Sequence, residues 1–99
     1  MVHYGLLVRL EAREGKEADV EEFLSQALDL VNEEEGTTVW FGVRFGPGSF
    51  AIFDAFEEAH DREDHLGGKV AAALMGRSAE LFKNTPVIEM AEVLAAKLT

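Results

Sequence analysis

Ninety-nine residues, 47% of them hydrophobic, describe a globular chain of one domain spanning 1–99, with little core to spare at that size. Nineteen acidic against nine basic residues leave a formal net charge of -10, a surface that repels phosphate backbones and anionic bilayers, so neither nucleic acid nor a membrane is an expected partner. The absence of cysteine removes disulfides, thiolate nucleophiles, iron–sulfur clusters and cysteine-ligated zinc.

The first predicted element is a strand over 3–12, in which Tyr4, Leu6, Val8 and Leu10 alternate with Gly5, Leu7, Arg9 and Glu11. Its apolar run, Tyr4–Val8, is too short for a signal-peptide core and is stopped by Arg9, so the expected compartment is the cytoplasm. Gly15 breaks the chain before a helix whose stripe is Val20, Phe23, Leu24, Ala27, Leu28 and Val31. Glu17, Asp19, Glu21 and Glu22 suit the positive end of its dipole, whereas Glu33-Glu34-Glu35 crowd the wrong end and predict fraying before Gly36.

A hairpin over Thr37–Glu57 follows, with Gly46-Pro47-Gly48-Ser49 as its turn. With Phe45 set opposite Phe50, one face carries Val39, Phe41, Val43, Phe45, Phe50, Ile52, Asp54 and Phe56. The other carries Trp40, Gly42, Ala51, Phe53 and Ala55. A sheet apolar on both faces has to be covered twice. The chain's own helices suffice for one face, so a second copy is expected on the other. Glu58–Leu66 reads as a short polar helix, Gly67-Gly68 interrupts it, and Lys69–Phe82 reads as a further helix weakened by Gly76. The tail from Pro86 to Leu98 fits either a helix or a strand, and local propensity favours helix. If the tail is a strand, the order is β-α-β-β-α-β: an α+β, ferredoxin-like split βαβ with a four-stranded antiparallel sheet and helices on one side.

Three stretches carry a resemblance: Leu7–Leu24 with Glu14-Gly15-Lys16 between strand and acidic helix, Gly36-Thr37-Thr38, and Ile52-Phe53-Asp54-Ala55-Phe56-Glu57 followed by His65-Leu66. On these the chain resembles the antibiotic biosynthesis monooxygenase family, which includes quinol monooxygenases and related dimeric α/β-barrel proteins. The carboxylate-x-aromatic pair of that family falls on Asp54 and Phe56, and its His-Leu on His65 and Leu66. The resemblance implies that the tail is a strand and that two sheets pack face to face in a homodimer. The haem-degrading branch uses a strand tryptophan where Phe56 stands and an asparagine near Val8. Neither is present, which argues against haem oxygenation.

Of the residues that could carry chemistry, His65 can move a proton near neutral pH. Asp54, a carboxylate among aromatics, needs a partner and can orient His65 or a substrate hydroxyl. Phe41, Phe56 and Tyr4 are the candidates for holding an aromatic ring. Trp40 and Phe53, with Arg9 and Arg44, are assigned to the face that meets the second copy, where Glu89 or Glu92 would answer the arginines. His60 and Asp64 lie four apart on a helix, but no third ligand is fixed, so no metal site is assigned. Gly67-Gly68-Lys69 lacks the rest of a phosphate loop. The resulting expectation is a cofactor-independent monooxygenase of a small phenolic or quinol-type aromatic. In it His65 exchanges the proton and Asp54 orients it. The alternative is a non-catalytic dimeric ligand-binding or stress-related protein on the same scaffold.

Overall fold

The computed structural model describes residues 1–98 and runs β1 (Tyr4–Glu11), α1 (Glu17–Val31), β2 (Val39–Gly46), β3 (Ser49–Phe56), α2 (Ala59–Leu66), α3 (Lys69–Gly76), α4 (Ser78–Leu81) and β4 (Ile88–Glu92). The strands form one antiparallel sheet in the order β2-β3-β1-β4, the α+β ferredoxin-like arrangement. The tail takes the strand conformation over Ile88–Glu92 against its local helix propensity. Pairing with β1, where Val8 meets Ile88 and Tyr4 meets Glu92, decides it. The stretch predicted as one helix over 69–82 divides at Arg77 into α3 and α4. Among the described residues, no helix is long and apolar enough to cross a membrane.

The core lies on one side of the sheet. Leu6, Val8 and Leu10 of β1 and Phe50, Ile52 and Phe56 of β3 are buried there. Val20, Phe23, Ala27 and Val31 of α1 cover the sheet together with Val70 and Leu74 of α3. The α1 stripe is narrower than its spacing predicts, because Leu28 is exposed. Beyond β1, the bridge between Ala12 and Phe82 and the bond from the Lys83 amide to the Glu11 carbonyl tie the end of α4 to the sheet.

The hairpin turn forms as expected, with Gly46 opposite Ser49, but the next pair is Arg44 with Phe50. Phe45 is the extra residue of a bulge. One inserted residue reverses the facing of everything before it in the strand. Trp40, Gly42 and Arg44 therefore share the helix side with Phe50, Ile52, Asp54 and Phe56. Val39, Phe41 and Val43 share the open side with Ala51, Phe53 and Ala55. This corrects three placements. Phe41 does not face Asp54; it stands on the open side and is 56% exposed. Trp40 packs against the helix-side core instead of lying beside Phe53. Arg44 does not lie with Arg9: it pairs with Glu21 of α1, and its guanidinium sits 5.2 Å above the Phe50 ring. Two fits accompany the bulged register. Large Val39 and Val43 oppose small Ala55 and Ala51, and Gly42 leaves room for Leu24, which a Cβ there would meet at 3.4 Å.

Candidate functional site

Helix α2 is almost wholly polar, and the one side chain it buries is His65. The imidazole enters the space between α2 and the sheet and meets Asp54, which β3 directs to the same side. His65 Nε2 lies 3.1 Å from Asp54 Oδ2. Asp54 is 2% exposed and His65 7%, so both members of the pair are withdrawn from water. Phe56, two residues along β3, is fully buried, with its ring centre 5.4 Å from the imidazole.

The other ring nitrogen is also engaged. His65 Nδ1 lies 2.5 Å from Glu34 Oε1, and the Thr37 hydroxyl donates to that same oxygen at 2.7 Å. Glu34 follows the end of α1, in the turn that leads to β2. Glycine at 36 helps this turn lie against α2, since a Cβ there would fall 2.5 Å from Asp61 Oδ1. Burial alone would lower the pKa of His65. Hydrogen bonds to Asp54 and Glu34, and the charges of those carboxylates, outweigh burial and raise it above the ordinary histidine value of 6.5. An imidazolium donates from both nitrogens, which suits a ring between two carboxylates; a neutral ring would leave one lone pair facing an anion.

The imidazole separates two spaces. On the Glu34 side is an open hollow of about 390 Å³ whose lining includes Glu33, Glu34, Glu35, Asp61, Asp64 and Lys69. On the Asp54 side is a small cavity of about 20 Å³ between sheet and helices, bordered by Trp40, Asp54, His65 and apolar side chains from β1, β3, α3 and β4. Asp54 Oδ1 and Trp40 Nε1 are both buried without a hydrogen-bond partner.

Asp54, Phe56 and His65, expected from the sequence as site residues, come together. Tyr4 does not join them. It stacks with Arg62, 5.3 Å from guanidinium carbon to ring centre, at a separate hollow of about 480 Å³. Arg9 is exposed and Phe53 half-buried, both on the open side. His60 is paired only with Asp61, and among the described residues no group of three or more His, Asp or Glu side chains could hold a metal ion. Sequence reasoning missed Glu34, Thr37 and Trp40. Glu34 reads there as one of three solvated acids, and only its long-range approach to α2 sets it apart. Trp40 was hidden by the bulge.

Solved structures define the fold first. A protein from Caulobacter crescentus, provisionally named an antibiotic biosynthesis monooxygenase, is similar at 18% identity with a TM-score of 0.80, over 95% of this chain and 92% of that one. Rv0793 from Mycobacterium tuberculosis is similar at 13% identity with a TM-score of 0.83, over 95% and 97%. At such identities the likeness is one of fold, and the fold is that of the antibiotic biosynthesis monooxygenase-like proteins. No family model matches the chain, and no curated protein does. NE2512 from Nitrosomonas europaea, described as a protein of unknown function, is 50% identical with a TM-score of 0.95, over 100% of this chain and 96% of that one. The chain belongs to the family of NE2512.

Proposed function

We propose that the protein is a cofactor-independent monooxygenase acting on a small phenolic or quinol-type aromatic, with His65 and Asp54 at its centre. The observation that carries this reading is the buried Asp54–His65 pair at the edge of a largely apolar cavity, on a fold shared with proteins provisionally named antibiotic biosynthesis monooxygenases. In this chemistry the substrate itself reduces oxygen. A ring CH₂ becomes C=O, one atom of O₂ is retained in the product, and the two hydrogens leave with the other atom as water. The protein's part is to favour the deprotonated, electron-rich ring where water is excluded.

Within this reading we give the pair roles that differ from those expected from the sequence. With carboxylates on both nitrogens, His65 holds a proton rather than a free lone pair, so it serves as a positive charge beside the site and as a proton donor. Asp54 is the acceptor. Oxygen uptake with a panel of quinols and anthrones tests the reading: the wild type consumes oxygen, and Asp54→Asn slows it at least about a hundredfold. Equal rates for wild type and His65→Ala would remove His65 from the mechanism.

The reading includes a homodimer. The open side exposes Phe41, Val43 and, at the bulge, Phe45, with Leu7 and Phe53 half-buried beside them. Arg9 and Glu89 stand on the same side, so a two-fold arrangement would let each arginine meet the other copy's acid. The doubly bonded imidazole is also what a non-catalytic ligand-binding protein would carry, since a locked ion pair stabilises a pocket without turning over. Binding of the same panel without oxygen consumption selects that second reading.

A further inference from the structure

Trp40 and Asp54 stand directly opposite each other on β2 and β3 and point to the helix side. Each ends in a buried polar atom with no partner: the indole Nε1–H is a donor only, and Asp54 Oδ1 is an acceptor. The other carboxylate oxygen is already held by His65. Both residues border the same small cavity, whose remaining lining, His65 apart, is apolar. A buried donor and a buried acceptor left open at one cavity are costly unless something satisfies both. A single oxygen that accepts from the indole and donates to the carboxylate does so, and a ligand hydroxyl supplies one in place of a water.

We propose that Trp40 Nε1 and Asp54 Oδ1 form a clamp for the hydroxyl of a small hydroxy-aromatic ligand. The cavity, at about 20 Å³, has room for one oxygen-sized group and not for a ring. The ring therefore lies at its mouth, over Leu66, Ala71 and Ile88, half-buried apolar side chains of the lining that the ring covers and that keep water from it. The clamp reads the ligand as a phenol or enol and rejects its methyl ether, because an ether cannot donate to Asp54 and its methyl group has no space. This inference rests on the aromatic-hydroxyl reading given above and adds Trp40 as the residue that sets specificity.

The test is direct binding of para-fluorophenol and para-fluoroanisole to the intact protein, followed by fluorine NMR of the ligand. The wild type should bind the phenol at least about tenfold more tightly than the ether, and Trp40→Phe, which keeps the ring and removes the donor, should bring the ratio close to one. Asp54→Asn should lower the ratio as well. A wild-type ratio near one, no phenol binding at millimolar concentration, or an unchanged ratio in a folded Trp40→Phe protein overturns the clamp. If Trp40→Phe does not fold, the wild-type ratio and Asp54→Asn decide. A crystal structure with the phenol separates ligand from solvent: its oxygen within hydrogen-bond distance of both atoms supports the clamp, and a retained water there with the phenol elsewhere overturns it. Discrimination without oxygen uptake keeps the clamp and removes the oxygenase; uptake without discrimination does the reverse.

Discussion

The two sides of this sheet use the same strands and similar residues, yet they do different work. On the helix side, Phe50 and Ile52 are sealed beneath α1 and α3, Phe56 is buried beside His65 of α2, and a carboxylate and an imidazole are sealed with them. On the open side, Phe41, Val43 and Phe45 face outward with Arg9. Apolar character alone does not separate the two. The difference comes from what the helices reach, and from the one-residue bulge at Phe45 that decides which half of β2 they meet.

The largest contrast is expected from aromatic truncation on the two sides. Phe50→Ala removes a ring that is 2% exposed and packed in the core, and should destabilise the protomer by about 3–5 kcal/mol in urea unfolding. The same truncation at Phe41 should leave the protomer within about 0.5 kcal/mol of wild type. Near-equal losses would mean that the two sides are buried alike.

Next in size is the charge buried on the helix side. Asp54→Ala leaves His65 with Glu34 alone and should cost about 3 kcal/mol at neutral pH. A smaller loss from Asp54→Asn, which retains a hydrogen-bond acceptor, would separate the bond from the charge. The pair also sets a pH dependence. The folded pKa of His65 lies above its unfolded value, so the stability it contributes is fully present below about 6.5 and fades as the pH rises through the raised folded value. The unfolding midpoint of the wild type should therefore fall on the alkaline side of neutrality relative to His65→Gln. Parallel pH profiles of the two proteins would show that His65 is not held as an imidazolium.

Much of this was legible in the residues. The alternation of β1, the Gly-Pro-Gly turn and the α1 stripe each rest on local chemistry, and each formed. Asp54 and His65 were also legible, as a carboxylate among aromatics and as a histidine followed by leucine at the end of a polar helix. What escaped depends on contacts between distant segments. The strand at Ile88–Glu92 exists because β1 offers it an edge. The bulge turns Gly42 toward Leu24 of α1, a contact between distant segments. Glu34 matters through its approach to His65, which Gly36 helps by letting the turn lie against α2. No window of sequence contains both partners of any of these contacts.

The smallest expected effect on the protomer is the most telling one for assembly. Phe41→Ser, on the exposed side, should hardly change unfolding at high dilution. If a second copy covers this side, the wild type sediments at micromolar concentration with twice the protomer mass, and its thermal midpoint rises with protein concentration. Phe41→Ser should then sediment as a protomer with a midpoint independent of concentration. Arg9→Glu offers a finer version, because it sets like charges against Glu89 across the proposed two-fold axis, and adding Glu89→Arg should restore association. A wild type that remains a well-folded protomer in the same range would show instead that this apolar side tolerates water, and that the helix-side pair functions without a second sheet behind it.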